Sequence, residues 1–103
     1  MAFPSIFAAM RPSPAAPDTP DRMPLEQIRH QLHQTLHDCK SVDAQRIIFR
    51  INIADTPADL WLLRSDLYQC ISRARDQTEA ARRINALLDA FSGWLPAAQL
   101  TRI

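Results

Sequence analysis

Glycine is almost absent from this chain, because Gly93 is the only one among 103 residues. Phosphate-binding loops, dinucleotide-binding fingerprints and most tight hairpins need glycine for a positive φ or for close approach of the backbone to a ligand. The composition therefore argues against a nucleotide-binding fold and favours a helical protein.

The chain also has few cysteines and a small net charge. The chain has two cysteines, Cys39 and Cys70, and no Cys-x-x-Cys pair, which is typical of a protein from a reducing cytoplasm. The formal net charge is +1, too small for broad electrostatic attraction to nucleic acid or to an anionic membrane. No run approaches the roughly 20 apolar residues of a membrane span. We therefore expect a cytoplasmic protein with no membrane partner.

Proline, in contrast, is concentrated at the start, where six of the eight prolines lie within residues 1–24. So much proline prevents regular backbone hydrogen bonding and is typical of an extended, mobile segment. We expect residues 1–23 to form a disordered tail. Because the first helical pattern begins just after Met23, translation from Met23 is an alternative, and residues 1–22 would then not be translated.

The rest of the chain predicts four helices, at about residues 24–39, 42–54, 57–74 and 77–92. Apolar residues recur every three or four positions in each, as in a helix with one buried face. The connections are short, as between antiparallel neighbours in a bundle. We expect an all-α fold, a compact four-helix bundle of short antiparallel helices over residues 24–95, followed by a C-terminal tail at 96–103.

Several helix ends carry local signals. Thr56 before Pro57 is typical of a helix N-terminus, and either Asp76 or Thr78 can cap the fourth helix. Gly93 suits the left-handed position that follows a helix. The predicted core consists of Leu25, Ile28, Leu32, Leu36, Cys39, Ala44, Ile47, Ile48, Ile51, Leu60, Leu63, Leu67, Cys70, Ile71, Ala74, Ala80, Ile84, Leu87, Leu88 and Phe91.

The second predicted helix is ambiguous, because residues 46–53 are rich in β-branched side chains and could form a strand. A strand needs a partner, and no second strand-like run is present. As a helix, the segment puts Ile47 and Ile51 on one face, with Phe49 and Ile53 on the opposite side. We therefore predict a helix that is apolar on two sides.

We expect Phe49 and Ile53 to contribute to a protein interface, together with a stripe formed by Trp61, Arg64 and Tyr68. Aromatic and arginine side chains are enriched at interface hot spots, and arginine stacks on aromatic rings. The alternative is that Trp61 and Tyr68 border the core with their polar atoms in water. A domain of about 80 residues is marginal alone, which also favours a homodimer.

All three histidines lie on one side of the first predicted helix, as Glu26, His30, His33 and His37 are spaced four, three and four residues apart. Imidazoles one turn apart can chelate zinc, nickel or copper, and they gain charge below about pH 6.5. This pattern suggests a metal- or pH-responsive protein. The alternative is a solvated polar face, because structural zinc usually takes its ligands from two elements. No other cofactor is predicted.

Four arginines surround the turn between the third and fourth predicted helices: Arg73, Arg75, Arg82 and Arg83. A helix-turn-helix protein would place such residues against phosphates and in the major groove. Two acidic residues in the same turn weigh against this interpretation, and arginines are common at helix ends for dipole reasons.

No arrangement of residues typical of an enzyme is present, and Cys39 and Cys70 fall on apolar stripes as expected of buried thiols. A disulfide between them remains an alternative. The sequence thus favours a non-enzymatic protein–protein interaction or regulatory module that binds itself or another protein. A small nucleic-acid-binding regulator and a metal- or pH-responsive protein are the alternatives.

Overall fold

The computed structural model describes residues 22–103, and this part of the chain is helical with no β-sheet. Its elements are α1 (Leu25–Thr35), α2 (Val42–Ile53), α3 (Pro57–Trp61), α4 (Arg64–Ala74), α5 (Gln77–Ala86) and two 3₁₀ helices, Leu88–Phe91 and Ala97–Gln99. The predicted all-α fold is confirmed. The predicted tail lies almost wholly outside the described residues, and the antiparallel order of the helices stays a prediction.

Three helices begin where the sequence predicts, because a side chain caps each of them. The hydroxyls of Ser41 and Thr56 accept hydrogen bonds from the third following backbone N–H, each at 3.1 Å. The Asp76 carboxylate does the same for Glu79 at 2.7 Å, so Asp76 rather than Thr78 is the cap. Each cap satisfies a backbone donor that the first turn leaves unpaired.

The first predicted helix is shorter than expected, since α1 ends at Thr35 rather than near Cys39. The Thr35 hydroxyl donates to the Gln31 carbonyl oxygen at 2.9 Å, a side-chain bond that weakens helix continuation. The Thr35 carbonyl accepts from the Arg83 guanidinium at 3.1 Å instead of from a further turn of helix. Residues 36–38 then form a turn that leads to α2.

The third and fourth predicted helices are also interrupted. A turn at residues 62–63 separates α3 from α4, and α5 gives way to the 3₁₀ helix Leu88–Phe91. At both places a backbone N–H bonds to the carbonyl three residues earlier, as in Leu63 to Leu60 (3.1 Å) and Leu87 to Ile84 (3.0 Å). Because three residues per turn align positions i and i+3, this tightening buries Leu60 with Leu63, and Ile84 with Leu87.

One hydrophobic core joins all five α-helices. Most predicted core residues are buried, and Trp61, Ala54 and Ala90 join them. The differences are small: Leu25, Ile48 and Leu88 are half-buried, and Ala74 is exposed. Within residues 22–103, no helix combines the length and apolar character needed to cross a bilayer.

The first described residues contact Trp94, which follows the 3₁₀ helix Leu88–Phe91. Its indole N–H donates to the Met23 carbonyl oxygen at 2.8 Å, and the Arg22 guanidinium lies 4.1 Å from the centre of its ring. Gly93 makes this turn with φ +87°, which confirms the left-handed conformation predicted for it.

Gly93→Ala is expected to lower the free energy of unfolding by about 1–3 kcal/mol, because an alanine is strained at that φ. Its Cβ would also lie 2.6 Å from Arg22 Cγ and displace the side chain that covers Trp94. Urea unfolding measures the change, with Ser92→Ala as the matched control at an exposed neighbour. Equal stability of the two variants would contradict this role for Gly93.

Candidate functional site

The outward side of α2 carries a row of exposed apolar side chains. Val42, Phe49 and Ile53 are 70%, 63% and 58% exposed, and at 100° per residue they lie within about 40° of one another around the helix. Ile47 and Ile51, on the opposite side, are buried in the core. The helix is therefore apolar on two sides, as predicted. We call Val42, Phe49 and Ile53 the outer apolar face.

This face is distinctive among the described residues. Five large apolar side chains within residues 22–103 are strongly exposed, and three of them form the outer apolar face. The other two lie apart from it, Leu62 in the turn between α3 and α4 and Ile103 after the last 3₁₀ helix. Single exposed apolar side chains are ordinary on a protein surface, whereas an aligned group marks a candidate binding site.

Ion pairs line one edge of the face and connect α2 to α4. Arg50 contacts Asp66 at 3.2 Å, and Arg73 contacts Asp43 at 2.9 Å. Arg46 lies 3.6 Å from Asp43 on the same helix. Exposed pairs of this kind stabilise a fold by less than about 1 kcal/mol each. These ion pairs mainly fix the position of the charged side chains, which they hold beside the outer apolar face and away from Phe49.

The predicted stripe of Trp61, Arg64 and Tyr68 does not form an exposed surface. Trp61 is only 8% exposed, and its ring packs edge-on against Phe91 with centroids 5.0 Å apart. The Arg64 guanidinium covers the ring at 4.3 Å, and Tyr68 is half-buried against the core. The turn between α3 and α4 allows Trp61 to face inward. The alternative, that these aromatics border the core, fits Tyr68, whereas Trp61 is a core residue.

The arginines predicted as phosphate contacts all bind carboxylates of this chain. Arg73 contacts Asp43, Arg75 contacts Asp38 at 3.3 Å, and Arg82 contacts Glu79. These pairs offset the positive charge that nucleic acid would require. Arg75, Arg82 and Arg83 thus form one network with Asp38 and Glu79, whereas Arg73 pairs separately with Asp43.

Arg83 is the most buried member of this network, with its side chain 10% exposed. It donates two parallel hydrogen bonds to Asp38, at 2.8 and 2.9 Å, and a third to Glu79 at 2.6 Å. With its bond to the Thr35 carbonyl, it joins the end of α1 to α5. Sequence reasoning missed Asp38, because its partner is 45 residues away and no local pattern links them.

The network lowers the pKa values of its acids. Hydrogen bonds from Arg83 outweigh the effect of partial burial and hold the pKa of Asp38 well below its usual range. Hydrogen bonds from Arg82 and Arg83 lower the pKa of Glu79 to about 2. Both carboxylates are therefore ionised at neutral pH, where they serve as ion-pair partners rather than as proton donors.

The predicted histidine face is divided by the early end of α1. His30 and His33 lie on the helix, whereas His37 lies in the following turn, where its Nδ1 is 3.0 Å from the Gln34 carbonyl oxygen. Glu26 is bound by Arg29 through contacts of 3.0 and 3.2 Å. In the described part of the chain, no three His, Cys, Asp or Glu side chains are grouped to hold a metal ion.

The two cysteines are buried free thiols. The Cys70 sulfur lies 3.9 Å from the Ser41 hydroxyl. Burial, with smaller effects from Cys70 and Asp38, raises the pKa of the Cys39 thiol to about 11. Little thiolate is therefore present at neutral pH, which makes Cys39 a poor nucleophile.

Comparison with protein-family models, curated proteins and solved structures finds no match. We therefore infer function from the surface of the fold, and the outer apolar face is its most distinctive feature.

Arg83→Gln is expected to lower the free energy of unfolding by about 2 kcal/mol, because it leaves a partly buried Asp38 with fewer charged partners. Arg82→Gln, which removes an exposed guanidinium from the same network, is the matched control and should change stability little. Urea unfolding of both variants measures the difference.

The pH dependence provides a second readout of the same pair. Carboxylates whose pKa is lowered by folding stabilise the protein above their unfolded pKa, near 4, and lose that effect as pH falls through the lowered value. Wild-type stability should therefore fall between about pH 4 and 2, and less steeply in Arg83→Gln. An equal slope in both proteins would contradict the assigned role of Arg83.

Proposed function

We propose that this protein is a non-enzymatic protein–protein interaction module and that the outer apolar face of α2 is its docking surface. The observation that carries the proposal is the alignment of Val42, Phe49 and Ile53 on one side of a helix, each more than half exposed. Apolar surface of this kind is hydrated unfavourably until another surface covers it. Phe49, between the two aliphatic residues, would supply the aromatic anchor common at interface centres.

The rigidity of α2 supports the proposal. Ser41 caps its first turn, and the Arg29 guanidinium donates to the Ile51 and Asn52 carbonyl oxygens in its last turn. Both ends thus have partners for backbone groups that would otherwise bond to water. A docking helix that is already ordered loses little conformational entropy on binding.

The spacing of the outer apolar face supports a helical partner. Positions 42, 49 and 53 repeat at seven and four residues, which is the spacing by which one helix packs along another. A partner that contributes an apolar helix could cover all three side chains at once. We therefore propose helix-to-helix docking.

Other functions receive less support from the described residues. The arginines around the α4–α5 turn are paired with acids, which disfavours binding to phosphates. The Cys39 thiol is buried and its pKa is raised, which disfavours nucleophilic chemistry. We therefore propose a binding role rather than a catalytic or nucleic-acid-binding one. A regulatory role for this binding stays a prediction.

Site-specific photocrosslinking tests the docking surface. Replacing Phe49 with p-benzoylphenylalanine keeps an aromatic ring in the face, and illumination of cells that naturally contain the protein would link it to whatever covers α2. Leu62, which is 75% exposed on another part of the fold, is the matched control position. We expect adducts from position 49 and none from position 62.

The mass of the adduct identifies the partner class. An adduct of twice the chain mass identifies a second copy, and a different mass identifies another protein. Absence of any adduct at position 49, or equal labelling at both positions, would contradict the proposed function.

A further inference from the structure

We propose that the partner of the outer apolar face is a second copy of this chain, with the two α2 helices packed antiparallel about a twofold axis. This inference rests on the proposed docking role of α2 and specifies its partner. It follows from the distribution of apolar and charged side chains along that one helix.

The outer apolar face can pack against a second copy of itself that runs in the opposite direction. Val42 is the first residue of α2 and Ile53 is the last. When two copies run in opposite directions about the middle of the helix, Val42 of each copy lies level with Ile53 of the other. A twofold axis generates this contact twice, as in other isologous interfaces.

The same alignment gives each aromatic ring a cationic partner. Phe49 lies level with Arg46 of the second copy, and Arg46 is exposed with its side chain at 73%. An arginine guanidinium over a phenylalanine ring is a favourable contact, because the face of the ring attracts positive charge. Two such contacts would form across the axis, one from each copy.

The charges along α2 also favour opposite directions. Asp43 near the start and Arg50 near the end are seven residues apart, which puts them on the same edge of the helix. Antiparallel packing brings Asp43 of one copy close to the level of Arg50 of the other and opposes the two helix dipoles. Parallel packing would align like charges and like dipoles instead.

The existing ion pairs of these residues are compatible with this arrangement. Asp43 and Arg50 contact Arg73 and Asp66 of α4 and thereby stay beside the outer apolar face. Charged side chains at the edge of an apolar strip set direction and register between packed helices.

The size of the face predicts a weak dimer. A helix of 12 residues is about 18 Å long, so a pair of such helices buries less than the roughly 800 Å² per partner of a stable interface. We therefore expect a dimer that forms in a concentration-dependent manner. A small domain gains most from such an addition to its buried surface.

Cysteine crosslinking tests both the partner and its direction. Full-length Val42→Cys and Ile53→Cys proteins, one enlarged by a tag, are mixed and oxidised with glutathione disulfide, which accepts the two electrons released when the new disulfide forms. The two positions are about 16 Å apart along one helix, so antiparallel and parallel pairs give different products. Wild-type protein controls for the buried native thiols, and Leu62→Cys controls for random collision.

We expect the disulfide between positions 42 and 53 to exceed each like-with-like product by about tenfold, against about twofold for random collision, because bridged Cα atoms must lie within about 7 Å. An excess of like-with-like products would overturn the antiparallel arrangement. Products no more abundant than those of Leu62→Cys would overturn the second copy as partner.

The photocrosslinking result separates the two levels of failure. If position 49 links to a different protein while the cysteines do not form a disulfide, the result supports docking by α2 and contradicts self-association. A link from position 49 to residues 1–21 of the same chain would contradict both proposals, because the chain itself would then cover the outer apolar face. If neither experiment gives a product, both proposals fall.

Discussion

Helix α2 can present only one of its two apolar faces to the rest of the chain, and the other features of the fold depend on which face it buries. Ile47 and Ile51 point into the core, while Arg29 binds the last carbonyls of the helix and Arg50 joins it to α4. These contacts set the rotation of α2 about its axis. Phe49 must then face outward, because a helix rotated to bury it would expose the two isoleucines.

The polar network around Arg83 performs a complementary structural role. Short helices leave several carbonyl groups unpaired, and a buried guanidinium can serve one such carbonyl together with two carboxylates. Arg83 does this for Thr35, Asp38 and Glu79. Of the arginines that resemble a nucleic-acid surface in the sequence, Arg83 therefore stabilises the contact between α1 and α5. The charged side chains of this region are paired within the chain. The apolar side chains on the outer side of α2, in contrast, are not covered by any of residues 22–103.

Local chemistry made part of this structure predictable. Ser41, Thr56 and Asp76 cap helices through residues only three positions away, so their roles can be read from the sequence. The exposure of Phe49 and Ile53 follows from helical periodicity within one segment. Contacts between distant segments were not predictable: Trp61 is buried because it meets Phe91, 30 positions later. The 3₁₀ turns that shorten the predicted helices likewise depend on how Leu63 and Leu87 fit the common core.

We propose that the two faces of α2 have different roles: the inner face stabilises the fold, and the outer face binds a second copy of the chain. The most direct test is the free energy of unfolding of wild type and Phe49→Asp over about a hundredfold range of protein concentration. The account predicts that wild-type stability rises with concentration, while Phe49→Asp matches dilute wild type at every concentration. A Phe49→Asp protein several kcal/mol less stable than dilute wild type, or a wild type indifferent to concentration, would contradict it.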